Sequence, residues 1–148
     1  ELCVVVESMF SLALLAQASP DDSSASRALD ALEKIAFNAL PAGLSDDLWS
    51  HPYLQFANTF QASPGEKDHV WASDGPDAAM YGLDGNDGCC TANFHQGFPK
   101  LISHLYFEEI ASQTLISSVW APSMVNASVG GGAEVELQTE YPFGRSCQ

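Results

Sequence analysis

Basic residues are scarce in this chain. Five Lys and Arg stand against 19 Asp and Glu in 148 residues, a formal charge of −14. A binder of phosphates needs a basic patch, and five cations are too few to build one. The same shortage excludes an anionic membrane surface as a partner. Long apolar runs are missing too. Leu2 to Ala18 comes nearest, yet it falls short of the ~20 residues of a membrane-spanning helix. It also lacks the basic start of a signal peptide, with Glu1 ahead of it and Glu7 inside it. Several catalytic signatures are absent: there is no His-Glu-x-x-His helix and no Gly-x-Ser-x-Gly elbow. Asp84-Gly85-Asn86-Asp87-Gly88 opens like a calcium loop, but its twelfth position is His95, where a bidentate Glu is required. Gly130-Gly131-Gly132 has neither the Lys nor the following helix of a phosphate loop and reads as a plain connection.

What is present argues for a packed core. Hydrophobic residues make up 46% and charged ones 16%, which is not the balance of a disordered acidic tail. The Leu2–Ala18 segment, apolar on almost every side, is expected to be a helix buried between other helices. Ser19-Pro20-Asp21-Asp22-Ser23-Ser24 marks a turn and a helix start, and Ala28, Leu32, Ile35, Ala36 and Ala39 then recur at helical spacing up to Leu40-Pro41. Two consecutive helices joined by a short turn make an αα-hairpin, the unit of bundles and α/α barrels. From Pro41 to Gly88 the composition turns to Gly, Pro and Asp with scattered aromatics, as in a functional loop region. Trp49 and Tyr53 are read there as core packing rather than as pocket walls. Thr91 to His104 predicts a third helix, with Pro99 forcing a kink or a late start. Thr114–Ala121 and Glu134–Tyr141 predict strands. No internal repeat is found. The chain opens on a helix without leader or cap and is expected to be the middle or end of a longer polypeptide.

The cysteines carry the chemistry. Cys89 and Cys90 are adjacent, between a Gly/Asp-rich turn and a helix; Cys3 and Cys147 lie near the ends. They read either as small buried hydrophobes, as bridges of Cys89 and Cys90 to Cys3 and Cys147, or as metal ligands. In the metal reading Glu1, Cys3, Cys89 and Cys90 supply one oxygen and three sulfurs, a four-coordinate set suited to Zn²⁺. The histidines His51, His69, His95 and His104 are isolated and read as surface or hydrogen-bonded side chains. The acidic balance and the Asn126-Ala127-Ser128 sequon lean towards secretion, while thiolate chemistry leans towards a reducing compartment, so localisation stays open.

One family resemblance covers nearly the whole chain. The segment Tyr81-Gly82-Leu83-Asp84-Gly85-Asn86-Asp87-Gly88-Cys89-Cys90-Thr91-Ala92-Asn93-Phe94-His95-Gln96-Gly97-Phe98-Pro99-Lys100 resembles the Cys-Cys-Thr-x-Asn-x-x-Gln-Gly element of glycoside hydrolase family 127, the β-L-arabinofuranosidase group. Three more stretches resemble it in the same order: Glu1-Leu2-Cys3-Val4-Val5-Val6-Glu7-Ser8-Met9; Ala36-Phe37-Asn38-Ala39-Leu40-Pro41 through Trp49-Ser50-His51-Pro52-Tyr53-Leu54-Gln55; and Val119-Trp120-Ala121-Pro122-Ser123 through Thr139-Glu140-Tyr141-Pro142-Phe143. Leu2 stands where many members have Thr, and Asp84 where many have Glu. The resemblance implies a mainly α chain with C-terminal β structure. Residues 1–110 would be the C-terminal part of an (α/α)6-barrel catalytic domain and residues 111–148 the start of a β-sandwich. It implies release of non-reducing-end L-arabinofuranose from a glycan with retention, with Cys89 as nucleophile and Glu1, Cys3, Cys89 and Cys90 holding Zn²⁺. The family's acid/base Glu precedes the Glu-x-Cys element, so the chain is expected to be inactive alone. The alternatives are a non-catalytic protein with a structural zinc site or disulfides, and a sugar-binding module.

Overall fold

The computed structural model describes residues 1–55, 77–82, 88–141 and 144. Helix α1, Leu2–Ala18, buries Leu2, Val6, Met9, Ala13 and Ala16. Their spacing of three and four places all five on one face. It is not enclosed on every side as its composition suggested, because Val4, Leu14 and Leu15 on its other faces are exposed. Asp21 caps the next helix, α2 (Asp22–Lys34), by accepting the Ser24 backbone N–H at 2.9 Å. From Lys34 the chain continues through a wide π turn, Ile35–Ala39, into the single turn α3, Leu40–Ala42. Pro41 cannot donate to the carbonyl four residues back. Immediately before it, the Leu40 N–H reaches five residues back to Ile35 instead.

The third helical body opens at the paired cysteines. It runs as α4 (Cys89–Asn93), a 3₁₀ turn (Phe94–Gln96) and α5 (Gly97–Ile102). Pro99 explains the break, since it leaves the His95 carbonyl without an α-helical donor. Gly97 lies where α5 crosses α1 and α3, and a Cβ there would stand 3.2 Å from both Val6 and Leu40. Lys100 ties α5 to α1 by an ion pair to Glu7 at 2.8 Å, with its Nζ 4.6 Å from the centre of the Phe10 ring.

Two antiparallel hairpins follow. Strands β1 (Tyr106–Glu109) and β2 (Thr114–Ser117) form one; β3 (Ser123–Val129) and β4 (Ala133–Thr139) form the other. The triglycine connects β3 to β4 with φ of +61°, +79° and +137°, a backbone that only glycine adopts freely. The hairpins are separate sheets, joined through Tyr106 Oη and Ser123 Oγ at 2.7 Å. The main core gathers Val6, Met9, Ala13, Leu32, Ala36, Leu40, Leu105 and Val119. A smaller core holds Leu2, Tyr53, Ala78 and Cys90.

This arrangement corrects the expected fold class. The chain is not part of an (α/α)6 barrel leading into a β-sandwich: among the described residues it has three helical bodies and two separate two-stranded sheets. A barrel helix is flanked by like helices on both sides, whereas α1 leaves apolar side chains in solvent. A sandwich needs two facing sheets with a core between them, and β3 and β4 bury only Val129 and Thr139. Among the described residues no helix is long and apolar enough to cross a membrane.

Candidate metal centre

The smaller core forms the floor of the site. Leu2 and Cys90 are fully buried in it, with Tyr53 and Ala78 alongside. The first backbone N–H groups of a helix have no partner within it. Here the Leu2 N–H donates to the Tyr53 carbonyl at 3.1 Å, and the Cys3 N–H donates to Cys90 Sγ at 3.4 Å. The start of α1 is thereby aimed at the start of α4, across 87 positions of sequence.

Three sulfurs meet at this junction. Cys3 Sγ and Cys89 Sγ are 3.9 Å apart, and the Sγ atoms of Cys3, Cys89 and Cys90 all lie within 4.8 Å of one another. Sulfurs bound ~2.3 Å from one tetrahedral zinc stand about 3.8 Å apart, so the spacing fits a shared ion. The three differ in access: Cys90 is buried, Cys3 half-buried and Cys89 exposed. All three are free thiols in this structure; Cys147 lies outside the described residues. Glu1 Oε2 accepts a hydrogen bond from Cys3 Sγ at 3.4 Å. It touches the cluster through Cys3 and stands outside the group of three mutually close ligand atoms. Of the four ligands expected, the structure brings three together and sets Glu1 beside them.

The electrostatics follow from crowding. Burial pushes the Cys3 thiol up to about 12; the hydrogen bond and charge of Cys90, and the hydrogen bonds to Glu1 and Cys89, act in the same direction. A thiol so placed keeps its proton, whereas a bound cation inverts this preference and draws out thiolates. The soft sulfur set suits zinc among divalent ions better than magnesium or calcium, which take oxygen. Three close cysteines could therefore hold a metal ion.

His51 was not anticipated as part of the support. It is buried, its backbone pairs with Gly82 in both directions, and its ring packs 5.2 Å from Phe94. Nδ1 lies 3.2 Å from the Pro52 carbonyl, which can only accept, so Nδ1 carries a hydrogen, and Nε2 is hydrogen-bonded with Thr91 Oγ1 at 2.9 Å. This fixes the turn of α4 that begins with Cys89. No local pattern in the sequence couples residue 51 to residue 91. His104 is hydrogen-bonded to the Lys100 carbonyl at 2.7 Å and meets the Phe10 ring edge-on. His69 and Asp84 to Asp87 lie outside the described residues. Tyr53 packs as expected, but Trp49 does not: it is 76% exposed. A cleft between the α1–α2 turn and β1, bounded by Asp21, Asp22, Tyr106 and Glu108, includes none of Cys3, Cys89 and Cys90. No protein family, curated protein or solved structure matches the chain, so the likeness to family 127 rests on the segments quoted above.

Proposed function

We propose that Cys3, Cys89 and Cys90 bind zinc, and that Cys89 is the nucleophile of a retaining glycoside hydrolase acting on non-reducing-end L-arabinofuranose. The observation that carries this reading is the convergence of three sulfurs from residues 3 and 89–90 within 4.8 Å. The residue chemistry and the resemblance both name those residues as partners, though nothing in their spacing required them to meet. Exposure of Cys89 supports its role as the reacting group, because a purely structural ligand gains nothing from facing solvent. Bound zinc would keep the cysteine sulfurs ionised at neutral pH.

The chain's own residues then divide the work. Cys90, closed into the smaller core and accepting the Cys3 N–H, anchors the site. Cys89 attacks the anomeric carbon, its sulfur forming a bond as the glycosidic oxygen leaves with the electron pair and takes a proton from the general acid that the resemblance puts outside these residues. Water then displaces the sulfur from the sugar, so two inversions give retention. Glu1, which accepts a hydrogen bond from Cys3, would supply the oxygen of the ligand set that the resemblance implies.

Metal analysis of the reduced protein tests the first half: one zinc per chain is expected, and its absence overturns the reading. An arabinofuranosyl haloacetamide tests the second, with peptide mapping expected to place the adduct on Cys89. An adduct on another residue, or none with zinc bound, leaves a structural zinc site as the function.

A further inference from the structure

We infer that Cys3 and Cys89 form a redox pair, closed into a disulfide by a small-molecule disulfide such as oxidised glutathione, with loss of the bound metal. The metal arm rests on the zinc reading above; the thiol chemistry does not. The two sulfurs already lie 3.9 Å apart, so a bond of ~2.05 Å needs them to close by roughly 2 Å, within reach of rotation about the Cα–Cβ bonds. Cys89 is exposed and can be entered from solvent, whereas Cys90 is 0% exposed and its sulfur faces the Cys3 N–H and the Tyr53 carbonyl. A bridge between adjacent Cys89 and Cys90 would close an eight-membered ring and strain the peptide between them. Cys3 is therefore the resolving partner.

The steps balance. Cys89 sulfur attacks one sulfur of glutathione disulfide, the S–S bond breaks, and one glutathione leaves with the electron pair and takes up a proton. Cys3 sulfur then attacks Cys89 sulfur and expels the second glutathione. Two protein thiols are oxidised and one external disulfide is reduced to two thiols. From the metal-loaded state the two sulfurs arrive as thiolates, two protons are taken from water, and the cation leaves with one of its three sulfur ligands remaining. Oxidation thus removes the nucleophile and the ion together.

The test uses the 148-residue chain, zinc-loaded and reduced, treated with oxidised glutathione. The expected result is loss of the mass of two hydrogens, a Cys3–Cys89 cross-linked peptide, and one zinc released to a chromophoric chelator per bridge, all reversed by dithiothreitol and zinc. Cys3→Ser is expected to stop at a stable glutathione adduct on Cys89, while Cys90→Ser still closes the bridge. A Cys89–Cys90 bridge, a persistent adduct on Cys89 in the unsubstituted protein, or zinc retained after bridging overturns the inference. If the protein binds no zinc, the metal reading fails by itself, and the same peptide map on the metal-free protein still decides the pair.

Discussion

Cys3 meets the sulfurs of Cys89 and Cys90 and the carboxylate of Glu1 at the start of α1, and its thiol is pushed up to about 12. Because metal binding must displace such protons, lowering the pH favours the protonated, metal-free form. Zinc affinity is therefore expected to fall as pH drops, by about tenfold per unit for each proton displaced. Competition with a chromophoric chelator at several pH values measures this, and a flat profile would mean that thiolates are not the ligands. In the metal-free protein the same raised thiol works in the opposite direction. Its contribution to stability is complete below pH 9.0, the ordinary thiol value, and is lost as pH rises towards about 12. The neighbouring cysteines separate burial from chemistry. Cys90→Ala is expected to destabilise even the metal-free fold, by about 1 kcal/mol of lost burial, whereas Cys89→Ala leaves its denaturant midpoint in place, because Cys89 is exposed. Much of the site was legible because thiols have few uses when two sit side by side. His51 was not, since its link to Thr91 is a tertiary contact between segments with no shared pattern.

Helices α1 and α2 were legible as elements because their buried positions recur every three or four residues: Leu2, Val6, Met9, Ala13 and Ala16, then Ala28 and Leu32. Strand β4 was legible in the alternation of Glu134-Val135-Glu136-Leu137, which the burial pattern follows. Its partner β3 hides because Met124 points outward, 64% exposed, and breaks the alternation. In β1 the pair Tyr106-Phe107 followed by Glu108-Glu109 has no period of two at all. The contrast within the helices gives a direct test. Leu32→Ala empties a site that is 1% exposed and is expected to cost about 2–5 kcal/mol, while Leu15→Ala, at 56% exposure, leaves the urea midpoint nearly unchanged. Equal effects would show that α1 is covered on its outer face. The cap of α2 adds a pH dependence of opposite sign to that of Cys3. Hydrogen bonds from Ser24 hold the Asp21 carboxyl below its ordinary 3.8, so its contribution is present above that value and is lost as pH falls further. Asp21→Asn, which still accepts from Ser24, is expected to retain the helix while removing that acid response in circular dichroism titrations.

At the scale of the whole molecule the cysteine cluster joins the beginning of the chain to residue 90, over the core of Leu2, Tyr53, Ala78 and Cys90. The overall architecture was not legible from sequence for a related reason. Short motifs specify which side chains meet, but the number of helices around them depends on which faces find cover, and α1 leaves Val4, Leu14 and Leu15 without it. Around this junction, among the described residues, Leu2 bonds to Tyr53, Leu54 to Ala78, and His51 to Gly82 and Thr91. A ligand that binds only where all three sulfurs converge must favour the folded state, and the gain grows with the logarithm of its concentration. At a hundredfold excess over its dissociation constant, zinc is expected to add about 2.7 kcal/mol, which for a domain of this size raises the melting temperature by about 5–10 °C. Calorimetry of the reduced protein with and without chelator measures this. The shift should vanish in Cys89→Ser and Cys3→Ser and persist in Leu15→Ala. A melting temperature indifferent to zinc would mean that the three sulfurs lie close together without serving as one ligand set, and the anchoring of α1 to α4 would then rest on the smaller core alone.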